Sequence, residues 1–365
     1  MTNFKPAHIY IDNRVKDAQV TKEICAKFAE IPKKLIHDSS AFIKEANKRP
    51  DAISWGKTVL FLTENKGRFI KKCPGTKNYI CCGYQILHPA SQCNFDCSYC
   101  ILQSYFNNPM ITIFTNLEDM FSELDERLNE NSEKKWRIGT GEFTDSLAFD
   151  DVYDFSNTAI PYFIKKENAI LELKTKSTKI DHLLQYDPKG KIITAWSMNA
   201  KSINSNEEKS AASIEDRITA AQKCLKKGYK LAFHFDPIFY FSGWENEYKN
   251  TVDLIFDNIP EKEIVWISLG CFRFIPSLKT IVEERFPETR FIYGEFITGM
   301  DNKLRYPKPL RIHIYTKMLK WIQNRSSRVF TYLCMESPDV WQKSFGYTPK
   351  KFGSLSKALD ARVFR

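Results

Sequence analysis

The chain has 365 residues, 43% of them hydrophobic, and 54 Lys and Arg against 44 Asp and Glu give it a net charge of +10. That length buries a sizeable core in one large α/β domain or two smaller ones, and the charge suits a polyanionic partner such as nucleic acid, although lysine-rich composition alone gives the same balance. No run of about 18 apolar residues argues for a membrane span, and ten cysteines behind the polar start Met1-Thr2-Asn3-Phe4-Lys5-Pro6 argue for a reducing cytoplasm over a disulfide framework.

Residues 1–78 read as an N-terminal α/β addition. A strand is expected at His8-Ile9-Tyr10-Ile11, a helical pattern from Lys22 to Phe42 broken near Pro32, and a strand over Thr58–Leu62. Lys66, Arg68, Lys71 and Lys72 then lead into Cys73-Pro74-Gly75. From Tyr79 short apolar runs alternate with amphipathic helices, the pattern of parallel strands joined by crossover helices. Strands are predicted at about 79–88, 136–142, 170–176, 191–198, 230–237 and 264–272. Helices are predicted at 98–106, 117–130, 149–166, 178–186, 213–227, 244–258 and 275–286. The result is an α/β chain with a partial, TIM-like (β/α)6 barrel over 79–290 and a C-terminal extension over 291–365. Chemistry in such barrels sits at the C-terminal ends of the strands.

After the first strand comes Cys93-Asn94-Phe95-Asp96-Cys97-Ser98-Tyr99-Cys100, three thiols in a loop of small polar residues that lets the backbone wrap a compact group. Thiolates hold iron–sulfur clusters, and a four-iron cluster held by three of them keeps one iron open for an external ligand. A zinc site, which needs a fourth ligand, and a chance run of buried thiols are the competing readings. The spacing, with Tyr99 before the last cysteine, resembles the radical S-adenosylmethionine (SAM) superfamily. The resemblance implies a [4Fe-4S] cluster on Cys93, Cys97 and Cys100 with SAM on the open iron, in a barrel of the radical SAM type.

The later strand ends supply polar groups. The second ends Arg137-Ile138-Gly139-Thr140-Gly141-Glu142, where glycines let the backbone approach a ligand; it resembles the element that contacts the SAM amino group. Lys176 at the third is a countercharge for the SAM carboxylate, and Ser197 and Asn199 at the fourth share one face, suited to a ribose or carboxylate. At the fifth, His234 and Asp236 form either a substrate-facing pair or a satisfied buried one. The sixth ends Cys271-Phe272-Arg273.

Over about 79–315 the chain resembles the spore photoproduct lyase family. The matching stretches are Cys97–Cys100 with Leu102-Gln103, Thr175-Lys176, Asp181-His182-Leu183-Leu184, Ser197-Met198-Asn199-Ala200, Arg217 with Ala220-Ala221, Gly228-Tyr229, Pro237-Ile238, Gly243-Trp244-Glu245 and Arg273-Phe274. The resemblance implies carbon–carbon bond cleavage in a pyrimidine photoproduct of DNA by a 5'-deoxyadenosyl radical. The family donates a hydrogen atom from a cysteine just after the second strand, but Gly141–Ser146 holds none; the family tyrosine after the last cluster cysteine is Ile101. Cys271 is then the first candidate donor, with Tyr99 as the remaining catalytic tyrosine.

The resemblance also implies a DNA-wedging hairpin, matched here by Tyr293–Ile297, the turn Gly299–Asn302 and Lys303-Leu304-Arg305-Tyr306. Arg273, Lys303, Arg305 and Tyr306 are the candidate nucleic-acid contacts. Lys308, Arg311, Lys317, Lys320, Arg325 and Arg328 form either a phosphate track or a solvated face. Cys73, Cys81, Cys82 and Cys334 are either a second metal site or small buried hydrophobes. We expect a monomer, with a flavodoxin or ferredoxin as electron donor. The competing functions are a radical SAM enzyme on RNA, a nucleotide or a peptide, and a non-catalytic iron–sulfur DNA-binding protein.

Overall fold

The computed structural model describes residues 4–364 except 74, 76 and 77; Pro74 and the first three residues, parts of two segments read above, lie outside the described residues. All six predicted barrel strands form, at Gln85–Leu87, Trp136–Gly139, Ala169–Thr175, Ile192–Ser197, Lys230–Ile238 and Ile264–Cys271. They lie side by side in chain order, all parallel, in one curled sheet. Ile70–Lys72 adds an antiparallel edge against the first, and Thr331–Leu333 adds a parallel edge against the sixth. The central strands are buried on both faces, which is why they read as unbroken apolar runs.

Helices cover the sheet where the 3.6-residue pattern predicts them. Ser213 starts the helix Ile214–Lys226 by accepting the Asp216 N–H at 3.0 Å, and Ile214, Ile218, Ala221 and Cys224 are its buried positions. The helix expected over 149–166 is interrupted at Asp154, whose φ of 53° is left-handed; Asp150 accepts the Ser156 N–H at 2.9 Å and restarts it. Only a three-residue 3-10 turn, Leu183–Gln185, forms where a helix is predicted at 178–186.

A second sheet lies N-terminal to the barrel, in the order 33–36, 8–12, 59–63, 111–114 and 90–91, parallel except for its last pair. The predicted helical run from Lys22 to Phe42 is instead two helices, Gln19–Lys27 and Ser39–Asn47, around a strand at Lys33–Ile36. That strand is exposed along Lys33, Lys34 and Leu35, so it carries no buried-strand alternation; its pairing with Ile9–Asp12 decides its conformation. Ala90–Ser91 and Ile111–Phe114 pair with each other in this sheet, so the cysteine loop between them hangs from its edge over the barrel mouth.

The predicted hairpin also forms. Ile297–Thr298 pairs with Leu304–Arg305, which pairs with Arg273–Phe274, fixing the hairpin to the chain just after the sixth barrel strand.

Candidate active site

A cavity of about 460 Å3 opens at the C-terminal ends of the barrel strands. Cys93, Cys97 and Cys100 line it together with Tyr99, Glu142, Lys176, Ser197, Arg273 and Lys303, so nine of the residues singled out in the sequence converge on one space.

Backbone clamps hold the cysteine loop, which has little regular structure of its own. Lys57 donates from Nζ to the carbonyls of Cys93 (2.9 Å) and Phe95 (2.8 Å). Gln103 donates from Nε2 to the carbonyls of Ser98 (3.0 Å), Cys97 and Cys100 (both 3.3 Å). Arg285 binds Asp96 at 3.1 Å and also Gln103. Asp96-Cys97 pairs with Glu208-Lys209 as a short antiparallel ladder. Burial pushes the Cys97 thiol up to about 12 despite the nearby Lys176 cation, so its thiolate calls for a strong positive partner, which coordinated iron supplies.

Glu208, which the sequence reading missed, is the hub beneath this loop. It accepts from the Tyr99 hydroxyl, Asn199 Nδ2 (3.2 Å), Asn204 Nδ2 (3.1 Å) and the fully buried Arg217. Burial pushes its carboxyl up, but the Arg217 and Lys176 charges outweigh that and hold it down at about 2. Arg217 also donates to the Ser197 carbonyl at 2.8 Å. A lone carboxylate at the end of a short helix gives no sequence signal for this role.

Glu142 reaches the cavity in an ion pair with Lys174. The glycines before it admit protein, not ligand: a Cβ on Gly139 would overlap the Tyr84 ring, and one on Gly141 would come 2.7 Å from the Lys174 carbonyl. Asp145 ties the second strand end to the third, accepting from Thr175 Oγ1 at 2.6 Å and the Lys176 N–H at 2.7 Å. Lys176 makes no ion pair within 4 Å among the described residues, which leaves its ammonium available to an anion in the cavity.

The family model for spore photoproduct lyase matches residues 4–298. The chain belongs to the spore photoproduct lyase family. The relative from Bacillus subtilis (strain 168), named spore photoproduct lyase, is 26% identical over 299 residues, covering 80% of this chain and 85% of its own. A namesake from Clostridium acetobutylicum is 24% identical over 303 residues, covering 80% and 88%. A spore photoproduct lyase double mutant solved with bound AdoMet and dinucleoside spore photoproduct superposes with a TM-score of 0.78 at 21% identity, over 92% of this chain and all of that one. The likeness establishes the radical SAM half-barrel fold.

Other predicted residues of this spore photoproduct lyase family member are placed elsewhere. Asn199 is buried outside the cavity, its amide spent on Glu208 and on the Tyr248 hydroxyl, which donates to Oδ1 at 2.6 Å. Cys271 is buried and does not line the cavity; its thiol bonds to Tyr315 and burial raises it. Tyr99 lines the cavity with its ring, but its hydroxyl is committed to Glu208. His234 is not paired with Asp236: it bridges Ser268 (2.6 Å) and Glu172 (2.7 Å) in the core. Asp236 instead receives the Arg273 fork at 3.0 and 3.2 Å, a close fit at Gly270, where a Cβ would meet Asp236 Oδ1 at 2.5 Å.

The hairpin's polar residues turn inward. Arg305 is buried, paired with Asp301 and stacked on Tyr79, and Tyr306 is buried against Phe296. The exposed side chains here are Tyr293, Ile297 and Met300. The proposed phosphate track is largely neutralised: Lys308 pairs with Asp339, Arg311 with Glu336, Lys317 with Glu245, Arg325 with Asp253 and Asp257, and Arg328 with Glu261. Among the described residues no group of three or more His, Cys, Asp and Glu is arranged to hold a single metal ion, so Cys73, Cys81, Cys82 and Cys334 are not a second metal site.

Proposed function

We propose that this chain is a radical SAM lyase that repairs spore photoproduct in DNA. The observation that carries the reading is the convergence of Cys93, Cys97 and Cys100 with Glu142, Lys176 and Ser197 on one cavity, in a chain of this family. Cys93, Cys97 and Cys100 fit a [4Fe-4S] cluster with one open iron. The bound cluster and SAM supply a 5'-deoxyadenosyl radical, which takes a hydrogen atom from the lesion so that the carbon–carbon bridge breaks.

The chain's own residues position and shield. Lys176 supplies positive charge beside Cys97 for the SAM carboxylate, Glu142 offers a carboxylate to its amino group, and Ser197 offers a hydroxyl. The apolar walls, Phe95, Phe143, Phe272 and Ile275, exclude water from the radical. The lesion nucleotides reach this depth by leaving the stack, which costs least where the duplex is already distorted. The exposed Tyr293, Ile297 and Met300 suit a wedge beside them. Ten cysteines, none in a disulfide among the described residues, support a cytoplasmic setting, and no helix is long and apolar enough to cross a membrane. We assign the electron to a flavodoxin or ferredoxin and the working form to a monomer.

The test is anaerobic turnover of the cluster-reconstituted chain with SAM, a reductant and a dinucleoside spore photoproduct, followed by mass spectrometry. Thymine recovery with 5'-deoxyadenosine supports the reading. If 5'-deoxyadenosine accumulates while the lesion persists, the substrate assignment is wrong. Bound iron undiminished in Cys93→Ala, Cys97→Ala and Cys100→Ala would remove the cluster assignment itself.

A further inference from the structure

We propose that Cys73 is the hydrogen-atom donor to the product radical. This rests on the radical SAM reading above and supplies the group that Gly141–Ser146 lacks. Among the described residues four cysteines line the cavity: the three cluster ligands and Cys73. Cys73 comes from the edge strand that precedes the first barrel strand, and its N–H donates to the Tyr84 carbonyl at 3.1 Å. Its side chain packs on the cluster of Tyr84, Ile86 and Phe143. Phe143 belongs to the stretch just after the second strand, so Cys73 brings a thiol to that same wall from a different part of the chain. The other thiols fail on position: Cys271 is sealed behind Tyr315, and Cys334 lies behind the Asp236–Arg273 pair.

Cys73 also has neighbours suited to a radical. The Cys81 thiol is hydrogen-bonded to both Cys73 and Cys82. These contacts and burial raise Cys81 and Cys82, which keeps both as S–H groups at neutral pH. The S–H bond is among the weakest hydrogen-bearing bonds a side chain offers. The lesion-derived carbon radical therefore takes the hydrogen atom of Cys73, forming C–H and leaving a thiyl radical. That thiyl takes the hydrogen atom of Cys81, restoring Cys73 and moving the radical one thiol away from the product. One electron from the flavodoxin or ferredoxin and one proton from solvent then restore Cys81.

The experiment is turnover in deuterium oxide by the cluster-loaded chain and its Cys73→Ser and Cys271→Ala variants. Thiol hydrogens exchange with solvent, so the unmodified chain and Cys271→Ala should place one solvent deuterium in the recovered thymine. Cys73→Ser preserves shape without a weak S–H bond. It should still form 5'-deoxyadenosine, while deuterated thymine falls on the order of tenfold or more for loss of one positioned reactant. Iodoacetamide labelling of the cluster-loaded chain gives a readout independent of turnover: Cys73 should be alkylated in the free protein and protected by SAM with the dinucleoside lesion, and Cys271 should stay unlabelled. Full deuterium incorporation by Cys73→Ser, or alkylation of Cys73 unaffected by SAM and lesion, overturns the inference while the radical SAM reading stands. Absence of 5'-deoxyadenosine from the unmodified chain overturns both.

Discussion

Glu208 shows how one carboxylate controls a site it does not enter. It ties Tyr99 in the cysteine loop to Asn199 at the fourth strand end and to Arg217 on the following helix. Removing one partner of a buried ion pair costs about 3–5 kcal/mol, so Glu208→Ala should lose that much in denaturant unfolding at neutral pH. The pH dependence has a definite sign. Its carboxyl lies at about 2 in the folded chain against an ordinary 4.5. The stabilisation it contributes is therefore complete above pH 4.5 and is lost as pH falls toward 2. Glu208→Gln should flatten the unfolding free energy across that window; a slope equal to that of the unmodified chain would show that Glu208 does not carry it.

At the scale of elements, the cysteine loop is held by neighbours more than by its own structure. Arg285, on the helix after the sixth strand, binds Asp96 and Gln103, and Lys57, beside the N-terminal sheet, binds the loop carbonyls. Arg285→Ala leaves all three cluster thiols in place yet should lower the iron retained per chain after gel filtration. Retention equal to that of the unmodified chain would assign the loop's order to the cysteines and their cluster alone. The hairpin makes a different prediction, because its exposed face is apolar while its arginine and tyrosine are buried. Replacing Ile297 and Met300 together by serine should weaken binding of lesion DNA about tenfold, the equivalent of losing the burial of about one side chain, measured by fluorescence anisotropy. Arg305→Ala should instead lower thermal stability, because it leaves the buried Asp301 without its closest cation.

For the molecule as a whole, the net charge of +10 overstates the basic surface available to DNA, because much of the C-terminal helix is already paired with acids. Each phosphate contact adds about 0.9 to the slope of log affinity against log salt. Lys317→Ala, which removes a lysine already bound to Glu245 at 3.0 Å, should change that slope by less than this amount. A full-unit change would restore the helix to the DNA-contacting surface.

The local sequence determined the repeating architecture and the cysteine loop. Six apolar runs at crossover spacing specify parallel strands, since strands buried on both faces need continuous apolar residues, and three thiols among turn-forming residues specify a wrapping loop. Glu142, Lys176 and Ser197 were legible for the same reason: a position at a strand end fixes the neighbourhood of its side chain. Tertiary structure alone decided how those side chains are used. Tyr99 and Glu208 are 109 residues apart, and Arg137 meets Asp360 across 223. Asn199, Arg305 and Tyr306 turn away from the positions their residue types suggested because buried polar groups must find partners, and those partners come from distant parts of the chain. The strand at Lys33–Ile36 was hidden for a related reason, since its conformation comes from pairing with Ile9–Asp12 and not from its own exposed residues.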